Sequence, residues 1–274
     1  MPHCCFFVQL CTPPASVFAQ TVAQNAAAKV KRTAATRAAA PAATPIDVAI
    51  NKAENLVVMS QRAAKLYAQG ALGVTPGRAG LHLNETIAAY EADKTWLRAN
   101  APTPSVVPLL DAQQKDWLAL KAYLQKPPVK DNIDEVGELS DSLYQKAVAT
   151  ANAIEGLTVN PLDEIVGQSA KQSVLIQRLG KWYFFDRAGF AGAKAKFDTS
   201  RKDFLAGHKA LAEAKEATPE IKRELDLIMN AANMLFTNFV DEKVGGAQNA
   251  ALVGKSTEVM MQMQNVVTSL FEKL

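Results

Sequence analysis

From Ile46 onward the apolar residues fall at helical spacing. Ile46, Ile50, Ala53, Val57, Ala64, Ala68 and Ala71 follow one another at intervals of three, four or seven, which places them on one narrow seam of a helix. Ser60 and Gln61 interrupt that seam. Thr44 stands where an N-cap oxygen is needed, Pro45 at the first helical position, and Asp47 near the positive end of the helix dipole. The predicted helix ends around Gly73, ahead of the turn residues TPGRAG. Further helical stretches are predicted at 82–99, 105–126 and 131–155, separated by APTP at 101–104 and by KPPVKD, the last of them closed by Gly156. The same plan then recurs at 161–187, 191–215, 219–243 and 247–274, and no segment alternates as a strand would.

The recurrence is a duplication. Residues 44–67 (TPIDVAINKAENLVVMSQRAAKLY) and 160–183 (NPLDEIVGQSAKQSVLIQRLGKWY) align without a gap at an offset of 116, and both reach the pattern QRxxKxY. Thr103-Pro104 returns as Thr218-Pro219, 115 positions on. VGELSDSLYQKAVATANAIE at 136–155 returns as VGKSTEVMMQMQNVVTSLFE at 253–272, 117 positions on. Chance periodicity would not keep caps, glycines and charges in step together. The prediction is therefore an all-α chain of two tandem antiparallel up-down four-helix bundles, residues 44–157 and 160–274, joined closely because about five residues separate the fourth helix from the fifth.

INKAENLVVMSQRAAKLY and SAKQSVLIQRLGKWY resemble the first-helix signature of the PilJ/NarX-type sensory domain, found outside the membrane in type IV pilus chemoreceptors and nitrate sensor kinases. Val136, Ser140, Asp141 and Leu143, echoed by Val253, Thr257, Glu258 and Met260, resemble that family's last helix. The resemblance covers 44–157 and 160–274. It implies a periplasmic sensor module that binds small ligands or proteins and signals by helix displacement. Where nitrate-binding members carry an arginine this chain has Val57 and Ser173, so nitrate is not the ligand expected. The family's transmembrane helices and output modules have no counterpart in the sequence, so the implied protein is a stand-alone module acting through a partner. The alternative is a structural or scaffold protein of the envelope.

Charge and cysteine usage narrow the picture further. Lys29, Lys31, Arg32 and Arg37 precede the first acid, Asp47, and setting those 4 of the 30 cations aside leaves 26 against 27 acids. A near-neutral folded part with few aromatics offers no nucleic-acid surface. Cys4, Cys5 and Cys11 lie in an apolar run that leads to Val17-Phe18-Ala19, which reads as a signal peptide over 1–19 and predicts a periplasmic or secreted protein. Residues 20–43 read as an Ala-rich solvated tail. No run reaches the ~20 apolar residues of a membrane span.

The chain shows little that would carry catalysis. His3, His82 and His208 are the only histidines; His82 and His208 are expected on exposed helix faces without a second ligand at helical spacing, so neither a metal site, nor a cofactor, nor a hydrolytic triad is predicted. Asp134 and Glu135 sit at a helix start, where the dipole accounts for them. Met260, Met263 and Val267 are read as bundle core. The run Trp182, Tyr183, Phe184 and Phe185 points around most of a helix, which leaves open packing against the first repeat, a partner surface or a homodimer. Arg62 with Lys65 and Arg178 with Lys181 share a helix face in each repeat. Each pair is a candidate anion site. At ~1.5 Å per residue, however, Arg62 is level with Asp141 and Arg178 with Glu258 on the antiparallel fourth helix of the same repeat, and ion pairs within each repeat are the favoured expectation.

Overall fold

The computed structural model describes residues 45–158, 161–240 and 246–274. The caps Thr44 and Asn160, the leader and the Ala-rich stretch lie outside them. Among the described residues there are eight α-helices and one short 3-10 turn, and no strand: α1 (Pro45–Ala71), α2 (Pro76–Ala99), α3 (Val106–Leu124), the turn Lys130–Asn132, α4 (Ile133–Glu155), α5 (Pro161–Ala188), α6 (Ala193–Glu213), α7 (Pro219–Val240) and α8 (Gly246–Phe271). None of these helices is long and apolar enough to cross a membrane.

Seven of the helices begin within two residues of the positions expected from sequence. The exception is α2, which starts at Pro76 rather than 82. Gly77 and Gly80 made TPGRAG look like a loop, but Pro76 opens the helix at its first turn and the two glycines are carried within it. The preceding bend is fixed from α1. Gly73 and Thr75 both adopt positive φ, 69° and 44°, a conformation that costs Thr75 free energy. The buried Gln69 amide donates to the Val74 carbonyl at 3.3 Å and to Thr75 Oγ1 at 2.8 Å, holding the bend in place.

Helix packing follows the duplication. α1 packs on α2 and α4 and α5 packs on α6 and α8, while α3 lies along α4 and α7 along α8. The pairs α2/α3 and α6/α7 touch only lightly. In addition α1 packs directly on α5. The first helix of each half is thus surrounded on several sides, and every residue from Ser60 to Gln69 and from Leu179 to Phe185 is buried. The seam read from sequence was too narrow for this reason: a helix facing three neighbours buries its whole circumference, polar residues included.

Two expectations about exposure are corrected by this arrangement. Trp182, Tyr183, Phe184 and Phe185 are all buried within the chain and do not form an exposed partner surface. Trp182 and Phe185 meet edge to face with centroids 5.6 Å apart, and Phe190 lies 5.4 Å from Phe185. His208 is buried too, beside Phe204 with ring centroids 5.7 Å apart. Burial lowers its pKa, against a smaller opposing pull from Asp226. Met260, Met263 and Val267 lie in the core as expected.

Glycines mark the closest approaches between the halves. A Cβ on Gly180 would lie 2.7 Å from Lys65 Cδ and 3.0 Å from Thr257 Cγ2. The repeated glycines of α4 and α8 do matching work, since a Cβ on Gly137 would meet Phe185 Cε1 at 2.8 Å and one on Gly254 would meet Gln69 Oε1 at 2.8 Å. Phe185 and Gln69 are themselves 116 positions apart.

Candidate functional site: a buried polar network between the halves

The polar residues that interrupt the α1 and α5 seams converge at the centre of the molecule. Lys181, fully buried, donates to Asp141 Oδ1 at 2.7 Å, to Ser140 Oγ at 2.7 Å and to Gln61 Oε1 at 3.2 Å. Gln61 Nε2 donates in turn to the Ser140 carbonyl at 3.0 Å. At the matching place Lys65, also fully buried, pairs with Glu258 and donates to Thr257 Oγ1 at 3.2 Å. Gln177 Nε2 donates to the Thr257 carbonyl at 3.3 Å. The second set repeats the first with the halves exchanged, except that Lys65 makes no counterpart of the Lys181–Gln61 bond and Gln177 Oε1 is buried without a partner.

The ion pairs therefore run between the repeats and not within them. Arg62 was expected to meet Asp141; instead its Nη2 reaches Glu258 Oε2 at 2.6 Å, and its Nε stands 3.1 Å from the same oxygen. Its Nη1 donates to Thr86 Oγ1 at 2.9 Å. Glu258 was expected to meet Arg178, yet it is shared by Arg62 and Lys65. Arg178 stacks 4.7 Å from the Tyr144 ring centre and its Nε reaches Ser200 Oγ at 3.5 Å. Asp141 takes Lys181 and, at 2.8 Å, Lys196. Counting turns along antiparallel helices gives height but not azimuth. Gln61 does lie level with Ser140 of its own half, whereas Arg62, a step of about 100° further round at ~3.6 residues per turn, faces the other half.

Burial and partners act against each other on these groups. Desolvation lowers the Lys181 pKa to about 7, although the Asp141 charge and hydrogen bond pull it upward. Lys65 is lowered by the same burial, against Glu258. Desolvation raises the acids, but their cations more than offset it: Glu258 falls to about 2 under Lys65 and Arg62, and Asp141 falls below its usual range under Lys181 and Lys196. The two Lys181 neighbours on α5, Trp182 and Phe185, add ring faces 4.1 Å and 5.4 Å from the ammonium.

This network can clamp the two halves together, and its two buried lysines already have protein acceptors. All three Lys181 donors have protein acceptors. The four cations do not converge on an empty anion cradle, although a groove of about 420 Å³, with Arg78, His82 and Lys255 on its walls, opens beside Glu258. Among the described residues no group of three or more His, Cys, Asp and Glu side chains could hold a metal. Sequence reasoning missed the shared role of Gln61 and Gln177, and of Lys196. The signal was present, since Gln61 and Gln177 open the repeated QRxxKxY pattern and the hydroxyl-acid pairs Ser140-Asp141 and Thr257-Glu258 recur at one offset. No family model matches the chain, and no curated protein or solved structure matches it either.

Proposed function

We propose that this chain is an exported, stand-alone sensory or ligand-binding module of the PilJ/NarX type, without catalytic activity, which acts through a partner protein. In this reading residues 44–157 and 160–274 are two tandem antiparallel up-down four-helix bundles, set against each other about an approximate two-fold axis between α1 and α5. The observation that carries it is the exchange of matching ion pairs between matching helices, Lys65 with Glu258 and Lys181 with Asp141. Two equivalent units coupled through their first helices provide what a helix-displacement sensor requires: a ligand that binds between them changes how α1 sits on α5. The apolar run before Val17-Phe18-Ala19 supports export.

A second reading, an envelope scaffold that binds no ligand, is favoured by one feature: the central cations are already occupied by protein acceptors. A thermal-shift screen of the full chain with small amines, small anions and pilus components separates the two. A ligand that binds only the native state raises stability by about 2.7 kcal/mol at a hundred times its dissociation constant, so one compound that lifts the melting temperature with dose supports the sensor. Indifference to every compound supports the scaffold.

A further inference from the structure

A second polar region lies toward the other end of α1. Asn51, Glu54, Asn55 and Val58 of α1, Ala170 and Ser173 of α5, and the last turns of α8 enclose a cavity of about 190 Å³. Its floor is buried: Glu54 is 9% exposed, and Val58 and Ser173 are buried as well. Its mouth is exposed at Asn51, Asn55, Asn265 and Glu272. Glu54 lines this space, and its fully buried Oε2 has no donor beside it except the Glu155 carboxyl of α4, with which it shares a hydrogen bond; two buried carboxyls facing each other with no cation between them carry a cost that an arriving cation would relieve.

The lining selects the ligand. It holds two carboxylates, Glu54 and Glu272, together with amide and hydroxyl oxygens, and no Lys, Arg or His. An anion would meet two carboxyl groups and no cation on this lining, and so would an amino acid's own carboxylate. A bare metal ion needs far less room, since one water takes only ~30 Å³, and it has no use for the Val58 and Ala170 wall. A short alkyl chain ending in an ammonium group suits both surfaces. The site is distinct from the central clamp, whose buried lysines already have protein acceptors.

We propose that this cavity binds a small primary amine lacking a carboxylate, its ammonium seated on Glu54 and its methylenes against Val58 and Ala170. The proposal rests on the ligand-binding reading above and adds a ligand class to it. Four groups set the charge at the site. Burial first, and then the hydrogen bond and charge of the Glu155 carboxyl on α4, hold Glu54 well above the usual carboxylate range, while the exposed Lys171 on α5 pulls it down and Glu272, just past the end of α8, adds to the rise. An arriving ammonium favours the ionised carboxylate and expels its proton. Binding therefore strengthens as pH rises through the Glu54 titration.

The test is isothermal titration of the full chain with putrescine and with ethanolamine, alongside the thermal-shift screen. Expected are saturable heat with either amine, proton release seen as a dependence on the buffer's ionisation enthalpy, tighter binding at pH 8 than at pH 5, and at least tenfold weaker binding in Glu54→Gln. That variant keeps the shape of the protonated side chain, so loss of folding does not stand in for loss of binding; its circular dichroism and melting temperature check this. Equal amine affinity in Glu54→Gln overturns the site. Silence toward both amines, with a response to another compound, overturns the amine proposal while the sensory reading stands. A Glu54-dependent response to sodium, potassium or calcium chloride without one to amines overturns it in favour of a metal ion. Silence toward every compound overturns both readings.

Discussion

Glu258 and Asp141 occupy matching positions, yet removing them has unequal consequences. Glu258 is the acid for two cations, Arg62 and the fully buried Lys65, and an arginine cannot shed its charge. Asp141 serves Lys181 and the partly exposed Lys196, and Lys181, held to about 7, can lose its proton instead. Glu258→Gln is therefore expected to cost about 3 to 5 kcal/mol, as for a broken buried pair, and Asp141→Asn clearly less, measured by urea unfolding at pH 8. The pH response separates the groups too. Because the Glu258 pKa is depressed to about 2, its contribution is complete above the unfolded value of ~4.3 and is lost as pH falls toward 2. Glu258→Gln should flatten that part of the urea-midpoint profile. Lys181 behaves the opposite way from a lysine that gains from its partner: the native state binds fewer protons than the unfolded chain between about 7 and ~10.4, so stability rises with pH over that window. Lys181→Met should remove the rise.

Among the helices, two glycines make a paired test of how tightly α1 and α5 are pressed together. Gly80 lies inside α2 with open space where its Cβ would be, so Gly80→Ala is expected to stabilise by about 0.5 to 1 kcal/mol through helix propensity alone. Gly180 lies inside α5, where a Cβ would come within 2.7 Å of Lys65 Cδ. That atom belongs to a lysine whose ammonium is pinned by Glu258 and Thr257, so it cannot swing clear. Gly180→Ala should destabilise by about 1 to 3 kcal/mol, and the contrast in chemical-denaturation midpoints decides it. The helices themselves were legible, because prolines at first turns, Gly156 and the apolar spacing mark starts and stops locally. What faces what was not. Gln61, Lys65 and Lys181 break an apolar pattern in the same way whether they point to water or to a polar partner between 40 and 193 residues away in sequence, and periodicity contains no term for the neighbour. Trp182 to Phe185 misled for the same reason: a helix with aromatics all round looks exposed on some side until three other helices are known to surround it.

At the scale of the molecule, the exchange of partners means that neither half satisfies the charges of its central network, Lys65 and Glu258 or Lys181 and Asp141, by itself. Residues 44–157 contain Arg62, Lys65 and Asp141, but their Lys65 finds its acid on α8. A second copy of the same segment offers Ser140 and Asp141 where Thr257 and Glu258 stand, and Gly137 where Gly254 accepts Gln69. Expressed alone, residues 44–157 should therefore form a homodimer, with Lys65→Met weakening it, as read by sedimentation equilibrium. A folded monomer at micromolar concentration would contradict the exchange. Joining two such units in one chain also releases them from having to stay alike. In a true homodimer any change appears twice, and a ligand must bind twice or straddle the axis. Here α5 carries Ala170 where α1 carries Glu54, and α4 carries Val148 where α8 carries Asn265, so the matching place in the other half lacks the acid on which the proposed amine site depends. On the proposed sensory reading one chain takes one ligand, and a single binding event would tilt an otherwise balanced pair to one side, giving the output a direction that a symmetric receptor must obtain from elsewhere.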